Sequence, residues 1–211
     1  MKKSFILAAA LAACACTSNK YTIEGTLDGA EGYLYLSDGE KAVDSAALNG
    51  GAFRFEGTVE TPQAYYLTDN RDTGEATFLA PVFIEAGNIR FEGTAEAPGF
   101  SGSPSNDGYA AYAVRQRALL DEYRNPATDA GRRAAIEKEY DDMNRTCFAE
   151  NGDNLFGAYL LSDMQYELTG AELLEKIAAF PQPLQQADIL VQLHEQALEK
   201  SKTDPGKPYI N

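Results

Sequence analysis

The residue pattern predicts an α+β protein, with an N-terminal antiparallel β-sandwich or open barrel of about seven to eight strands and a C-terminal part of about five helices. Three observations carry this. First, Gly51-Ala-Phe-Arg-Phe-Glu-Gly-Thr58 returns as Ile89-Arg-Phe-Glu-Gly-Thr94, and in shorter form as Tyr21-Thr-Ile-Glu-Gly-Thr26. Phe53 and Phe55 alternate with Arg54 and Glu56, the period of a strand with one buried face. Second, turn residues interrupt the chain at short intervals as far as Gly102. Third, the hydrophobic period changes at Ser103-Pro104, where a serine N-cap precedes a proline at the first helical position.

Taken in order, the strands fall at Tyr21–Leu27, Tyr33–Ser37, Ala42–Leu48, Ala52–Val59, Ala64–Thr68, Thr77–Glu85 and Ile89–Thr94, with a short one near Phe100. Asp28-Gly29, Asp38-Gly39, Asn49-Gly50-Gly51, Asp69-Asn70 and Gly87-Asn88 separate them. Close spacing without room for crossover helices favours repeated antiparallel hairpins. Gly57 and Gly93 are expected to stop or kink their strands. The β domain is thus residues 21–103 and the helical region residues 104–203.

In the helical region Tyr109, Tyr112, Ala113, Leu119, Leu120 and Tyr123 share one face of a first helix. Asn125-Pro126 breaks it, and a second runs from Arg132 to about Ala149. Asn151-Gly-Asp-Asn154 precedes a third, with Phe156, Tyr159, Leu160 and Met164 inward. Thr169-Gly-Ala-Glu172 is a capping box for a fourth, and after Pro181 and Pro183 a fifth extends to about Lys200. The helices either pack on the sheet or stand beside it as a small bundle.

The N-terminus sets the compartment. Met1-Lys-Lys is a basic leader and Phe5 to Ala13 a short apolar run, too short for the roughly 20 residues that span a bilayer. Leu11-Ala-Ala-Cys14 matches the bacterial lipoprotein signal pattern, so residues 1–13 read as a signal peptide and residues 14–20 as a lipidated tether. Cys14 would carry the acyl chains; Cys16 offers a second, poorer register, because a cysteine then sits inside the recognition box. Acyl chains on one residue tether the chain to a membrane. The net charge of −14 is spread along the sequence, which disfavours nucleic acid and anionic headgroups as partners.

Motifs of chemistry are few. The chain has no C-x-x-C, H-E-x-x-H, G-x-S-x-G, phosphate loop or dinucleotide fingerprint. Cys147 lies at helical spacing from Ile136, Tyr140 and Met143, as a small buried hydrophobe rather than a nucleophile. The single histidine, His194, sits at the edge of the last helix's apolar stripe and reads as structural. Asp69-Asn-Arg-Asp72-Thr-Gly-Glu75 has carboxylates that could meet calcium, but Arg71 spoils the alternation and the stretch reads as a solvated turn. No catalytic residue, metal site or cofactor is therefore assigned. The 12 tyrosines could line a groove, though most fall at core spacing; Tyr65-Tyr66 is the exception, since one of two adjacent strand residues faces outward. No carboxylate pair is singled out for hydrolysis.

Two resemblances add to this. Asp44-Ser45-Ala46 resembles the Asp-Ser/Thr-aliphatic site at which Bacteroides-type bacteria O-glycosylate exported proteins, making Ser45 a candidate for modification. More broadly, Gly51 to Gly57 with Pro62 and Tyr66-Leu67, Pro81-Val-Phe-Ile-Glu-Ala-Gly-Asn-Ile89, and Gly102-Ser-Pro-Ser-Asn-Asp107 are together similar to the domain-of-unknown-function 4369 family. That family occurs in exported lipoproteins of Bacteroides-type bacteria, commonly ahead of a thioredoxin-like (alkyl hydroperoxide reductase/thiol-specific antioxidant) domain. Residues 204–211, Asp-Pro-Gly-Lys-Pro-Tyr-Ile-Asn, resemble the linker into that fold, whose C-x-x-C module is missing here.

The resemblance assigns no activity and transfers no site residue except the anchor cysteine. It implies a cell-envelope lipoprotein facing the periplasm from the outer membrane, because Cys14-Ala-Cys-Thr-Ser-Asn-Lys20 lacks the acidic run of surface-exported relatives. The expected function is a non-catalytic, lipid-anchored binding or scaffold module. The alternative is an accessory or remnant domain of a thiol–disulfide oxidoreductase acting with a thioredoxin-like partner; an envelope component is the other partner considered.

Overall fold

The computed structural model describes residues 19–203. Residues 1–18 and 204–211 lie outside the described residues, and with them the expected signal peptide, the expected lipidation residues Cys14 and Cys16, and the linker-like tail.

Eight strands come first, near the bounds that the turn residues indicate: β1 (Lys20–Thr26), β2 (Tyr33–Ser37), β3 (Ala42–Ala47), β4 (Ala52–Thr58), β5 (Gln63–Thr68), β6 (Leu79–Ile84), β7 (Gly87–Gly93) and β8 (Pro98–Ser101). They form two four-stranded sheets, in the orders β4-β1-β7-β8 and β3-β2-β5-β6, so the sandwich and not the open barrel is adopted. Between the sheets lie Ile23, Leu34, Leu36, Phe55, Leu67, Val82, Ile84 and Ile89, all essentially solvent-free. Phe91 locks the end of this core, edge-on to Phe53 at 5.7 Å and to Phe100 at 5.4 Å.

The three copies of the repeated motif, β1, β4 and β7, stand side by side in the first sheet. Their inward residues enter the core, while Glu24 lies on the exposed face opposite both Arg54 and Arg90 and pairs with the Arg54 guanidinium. The expectation that Gly57 ends or kinks its strand is not met. Gly57 lies inside β4 opposite Tyr21, and a Cβ there would come within 2.9 Å of the Tyr21 ring. Gly25 plays the same part in β1, where a Cβ would sit 2.5 Å from Phe91 Cβ. Glycine is needed in these two strands for close packing, and of Gly57 and Gly93 it is Gly93, with φ +107, that takes a turn conformation. Only β2–β3, β5–β6 and β7–β8 are hairpins; β1–β4 and β2–β5 pair strands distant in sequence, and β7 returns from the other sheet to run parallel to β1.

A second, shorter repeat gains its meaning from the fold. Tyr35-Leu36-Ser37-Asp38 on β2 matches Tyr66-Leu67-Thr68-Asp69 on β5, and in the antiparallel β2–β5 pair Leu36 stands opposite Leu67. In the β1–β4 pair Ile23 likewise stands opposite Phe55, the residue at the same place in the other copy of the motif. Equivalent residues facing one another across both pairs place β1–β3 and β4–β6 about a local two-fold axis. The buried hydroxyls obey it too: Ser37 Oγ donates to the Lys41 carbonyl (2.9 Å) and Thr68 Oγ1 to the Asn70 carbonyl (2.5 Å).

The helices are α1 (Pro104–Arg124), α2 (Ala130–Glu150), α3 (Leu155–Met164), α4 (Gly170–Ala178) and α5 (Asp188–Ser201). Ser103 caps α1 ahead of Pro104, Asp129 caps α2, Asn154 caps α3, and Thr169 with Glu172 closes the capping box of α4. They pack on the outer face of β5 and β6, so the sheet is covered rather than flanked. Phe83 is the bridge: it points out of the sandwich into the helical core, with ring centroids 5.7 Å from Tyr109 and 5.8 Å from Tyr159. Buried Asn106 clips the two halves together. Its Oδ1 accepts the Phe83 N–H (3.1 Å), and its Nδ2 donates to the Phe83 carbonyl (2.7 Å) and to Ser103 Oγ (2.8 Å). The amide thereby completes the hydrogen bonding of an edge strand that lacks a neighbour at this point. Beside it Ser105 Oγ donates to Glu85 Oε1 (2.6 Å) and accepts the Leu155 N–H (3.0 Å) at the start of α3.

Candidate functional site

A cleft of about 290 Å³ opens where the covered sheet meets the helices. Its floor follows from strand alternation. On β5, Leu67 points into the sandwich while Ala64 and Tyr66 point out, and on the neighbouring β6 Pro81 stands opposite Tyr66. One wall is the exposed side of α3, with Tyr159 and Ser162; another is the first two turns of α5, with Asp188, Ile189 and Gln192. The rim is the β2–β3 turn, which presents Asp38 and Glu40. Gln63 ties floor to wall, its Oε1 accepting the Asp188 N–H at 3.4 Å.

The electrostatics of the cleft follow from these positions. Asp38, Glu40 and Asp188 are the charged groups lining it, and no Lys or Arg is among the lining residues. Asp38 is held below the ordinary carboxylate range by hydrogen bonds, first from the Lys41 N–H and also from the Glu40 N–H, so it stays ionised. Burial pushes the Tyr66 phenol up, helped by the nearby Asp163 charge, and burial pushes Tyr159 up further. Both tyrosines therefore remain neutral at physiological pH, as hydrogen-bonding groups rather than bases. Neither phenolic hydroxyl has a hydrogen-bond partner among the described residues, although both rings are half-buried.

Two other hollows differ in character. A wider depression of about 750 Å³ runs along edge strand β3, bounded by Tyr35, Ser45 and Arg71. A groove of about 250 Å³ lies between α1 and β6, with Arg117 and Arg124 above Leu79 and Pro81.

The residues singled out in sequence scatter rather than assemble. Ser45 is exposed on β3 opposite Tyr35, its N–H bonded to Asp44 Oδ1 at 2.7 Å. Cys147 is buried on α2 in the same core cluster as Met143, and burial pushes its thiol up, away from the reactive thiolate. His194 is exposed on α5. In the 69–75 loop the carboxylates serve the backbone: Asp69 Oδ1 accepts from Thr77 N (2.9 Å) and Phe78 N (3.1 Å), and Asp72 Oδ1 from Gly74 N (2.9 Å). Burial alone would raise Asp69, but the hydrogen bonds from Thr77 and Phe78 outweigh it and lower the carboxyl. Among the described residues no group of three or more His, Cys, Asp and Glu side chains is placed to hold a metal ion, and no helix is long and apolar enough to cross a membrane. Of the pair Tyr65-Tyr66, Tyr66 stands on the outer face of β5 in the cleft, while Tyr65 packs against the sandwich core and also lines the edge of the cleft.

Residues 21–109 match the family described as Domain of unknown function (DUF4369). This stretch is a DUF4369 domain. It takes in the whole sandwich and the first turn of α1, so the DUF4369 domain ends just beyond the Asn106 clip. The floor and rim of the cleft belong to the DUF4369 domain, while its α3 and α5 walls lie outside the matched residues. No curated protein and no solved structure matches the chain. Sequence reasoning missed Tyr159, Asp188 and Gln192 as cleft residues. The one available signal was the Tyr-Leu-Ser-Asp and Tyr-Leu-Thr-Asp repeat, in which Tyr66 corresponds to Tyr35 and Asp38 to Asp69.

Proposed function

We propose that the protein is a non-catalytic, lipid-anchored binding module of the cell envelope, facing the periplasm from the outer membrane and holding a small ligand at Tyr66 and Tyr159. The observation that carries the binding half is the cleft itself, with its half-buried aromatic floor and phenolic hydroxyls left without partners. Concave sites where two structural units meet, apolar in the floor and polar at the rim, are the usual form of small-molecule sites. The anchoring half rests on the Leu11-Ala-Ala-Cys14 pattern. Metabolic labelling with an alkyne palmitate should mark the wild-type chain, fail on Cys14→Ala and persist on Cys16→Ala. Label lost only from Cys16→Ala would move the anchor, and no label on any form would remove it. Protease shaving of intact cells should spare the protein, and its rapid loss would sink the periplasmic placement. Ser45 is the proposed O-glycosylation site, exposed on its edge strand, and a mass shift abolished by Ser45→Ala is the expected sign.

A second reading is favoured by the DUF4369 match: an accessory domain that works with a thioredoxin-like partner. The buried Cys147 thiol makes its own redox participation unfavourable, so here the partner would supply the dithiol. Co-purification of a C-x-x-C protein after in-cell cross-linking would support this reading, and an unchanged envelope thiol redox state on deletion of the gene would count against it.

A further inference from the structure

We infer that the cleft over Tyr66 takes an organic cation, a primary ammonium or guanidinium carried on a short aliphatic chain; this rests on the binding reading above and names its ligand class. The molecule supplies its own comparison. Tyr35 and Tyr66 occupy the same place in the two symmetry-related units, each on the outer face of the second sheet and each one residue before the paired leucine. Over the Tyr35 ring the chain stacks a cation of its own, the Arg71 guanidinium, 5.7 Å from the ring centroid. At the Tyr66 position no such cation is present among the lining residues, and the surroundings are Asp38, Glu40 and Asp188.

Donor and acceptor chemistry agrees with this. An ammonium group brings three donors and no acceptor, and a guanidinium five donors and none. The cleft answers with carboxylates on its rim and wall, and with the unpartnered phenol oxygens of Tyr66 and Tyr159. Pro81 and Ile189 supply the apolar surface against which the methylenes of such a ligand pack. A dicarboxylate would meet three like charges with no Lys or Arg lining the cleft, the nearby Lys41 charge acting on Asp38 from outside it, and a neutral diol would bring no charge to answer them.

Three matched five-carbon probes test the class by NMR on the intact chain: cadaverine, pentane-1,5-diol and glutarate. Ring resonances are assigned through Tyr66→Phe and Tyr159→Phe. Cadaverine should shift both rings, binding at least about tenfold more tightly than the diol, and should weaken as NaCl rises from about 20 to about 200 mM. Asp188→Asn combined with Glu40→Gln should weaken it by about tenfold, with Asp121→Asn on α1 as the unaffected control. Nα-acetyl-lysine amide binding more tightly than cadaverine would identify the source as a basic peptide side chain, and the reverse order a free polyamine; either supports the inference. If the diol or glutarate shifts the two rings as strongly as cadaverine, or the double variant binds cadaverine unchanged, the cation assignment is overturned while the cleft stands as a binding site. If no probe, charged or neutral, and no panel of short peptides or oligosaccharides perturbs Tyr66 or Tyr159, both this inference and the binding reading fall.

Discussion

The two symmetry-related units of the sandwich begin from the same local sequence and meet different fates. In β1–β3 the outer face is open: Tyr33 is 56% exposed, and its neighbours Ser45 and Ala47 on β3 are exposed as well. In β4–β6 the equivalent positions are Ala64, Pro81 and Phe83, and the helices cover them. The exchange is one of bulk. A large side chain on the inner strand with a small one on the edge, Tyr33 beside Ala47, becomes a small one beside a large one, Ala64 beside Phe83. Phe83 projects where a helix layer can receive it, and Ala64 leaves room for that layer to approach. A handful of outward residues, rather than the strand frame, thus decides which half of the sheet becomes a platform.

The largest effect should come from removing that bridge. Phe83→Ala is expected to cost about 3–5 kcal/mol by the usual large-to-small penalty, whereas Ala47→Ser at the equivalent open position should change stability by less than about 0.5 kcal/mol. Urea titration of both variants checks this, and equal effects would break the comparison. Next comes the clip: Asn106→Ala strands the Phe83 N–H and carbonyl in a buried seam, at about 1–3 kcal/mol for each group that water fails to reach. The loss should register in the same urea series, with hydrogen exchange of the Phe83 amide rising toward that of exposed strands.

A third prediction concerns pH. Burial pushes Tyr109 up to about 12 and holds Tyr112 and Tyr159 higher still. A raised phenol binds its proton more tightly when folded than when unfolded. The stability it contributes is present in full below the unfolded value of about 10 and is lost as pH rises from there through the folded values. The urea midpoint should therefore be insensitive to these groups from pH 8 to about 10 and fall steeply above it, with their tyrosinate absorbance appearing only as the helical half melts. Normal ionisation of all tyrosines near pH 10 in folded protein would show that the covered face is wet. The smallest effect belongs to the open first sheet, where the exposed Arg54–Glu24 pair should contribute about 0.5 kcal/mol or less, as the stability of Arg54→Ala would show.

Much of this fold was legible because its signals are local. The alternation of Phe53 and Phe55 with charged neighbours, the Ser103-Pro104 start of α1 and the Thr169–Glu172 capping box each act within a few residues, and each forms as the sequence indicates. Gly57 misled because one residue type serves two physical ends. A turn glycine is required by its own φ, but a packing glycine is required by a side chain elsewhere in the sheet, here Tyr21. The candidate site was nearly illegible for the same reason, since Asp38, Tyr66, Tyr159 and Asp188 come from four separate elements and share no spacing.

By itself, then, the amino-acid sequence determined the order and bounds of the strands and helices, the caps that start the helices, and the residues of each strand that face inward, because periodicity and capping are short-range effects. Only the tertiary structure decided that β7 joins β1 in parallel, that two three-stranded units face one another about a local axis, and that the helices cover one unit and leave the other open. Those outcomes depend on which apolar faces bury one another across gaps of up to a hundred residues or more, and no local pattern records that choice.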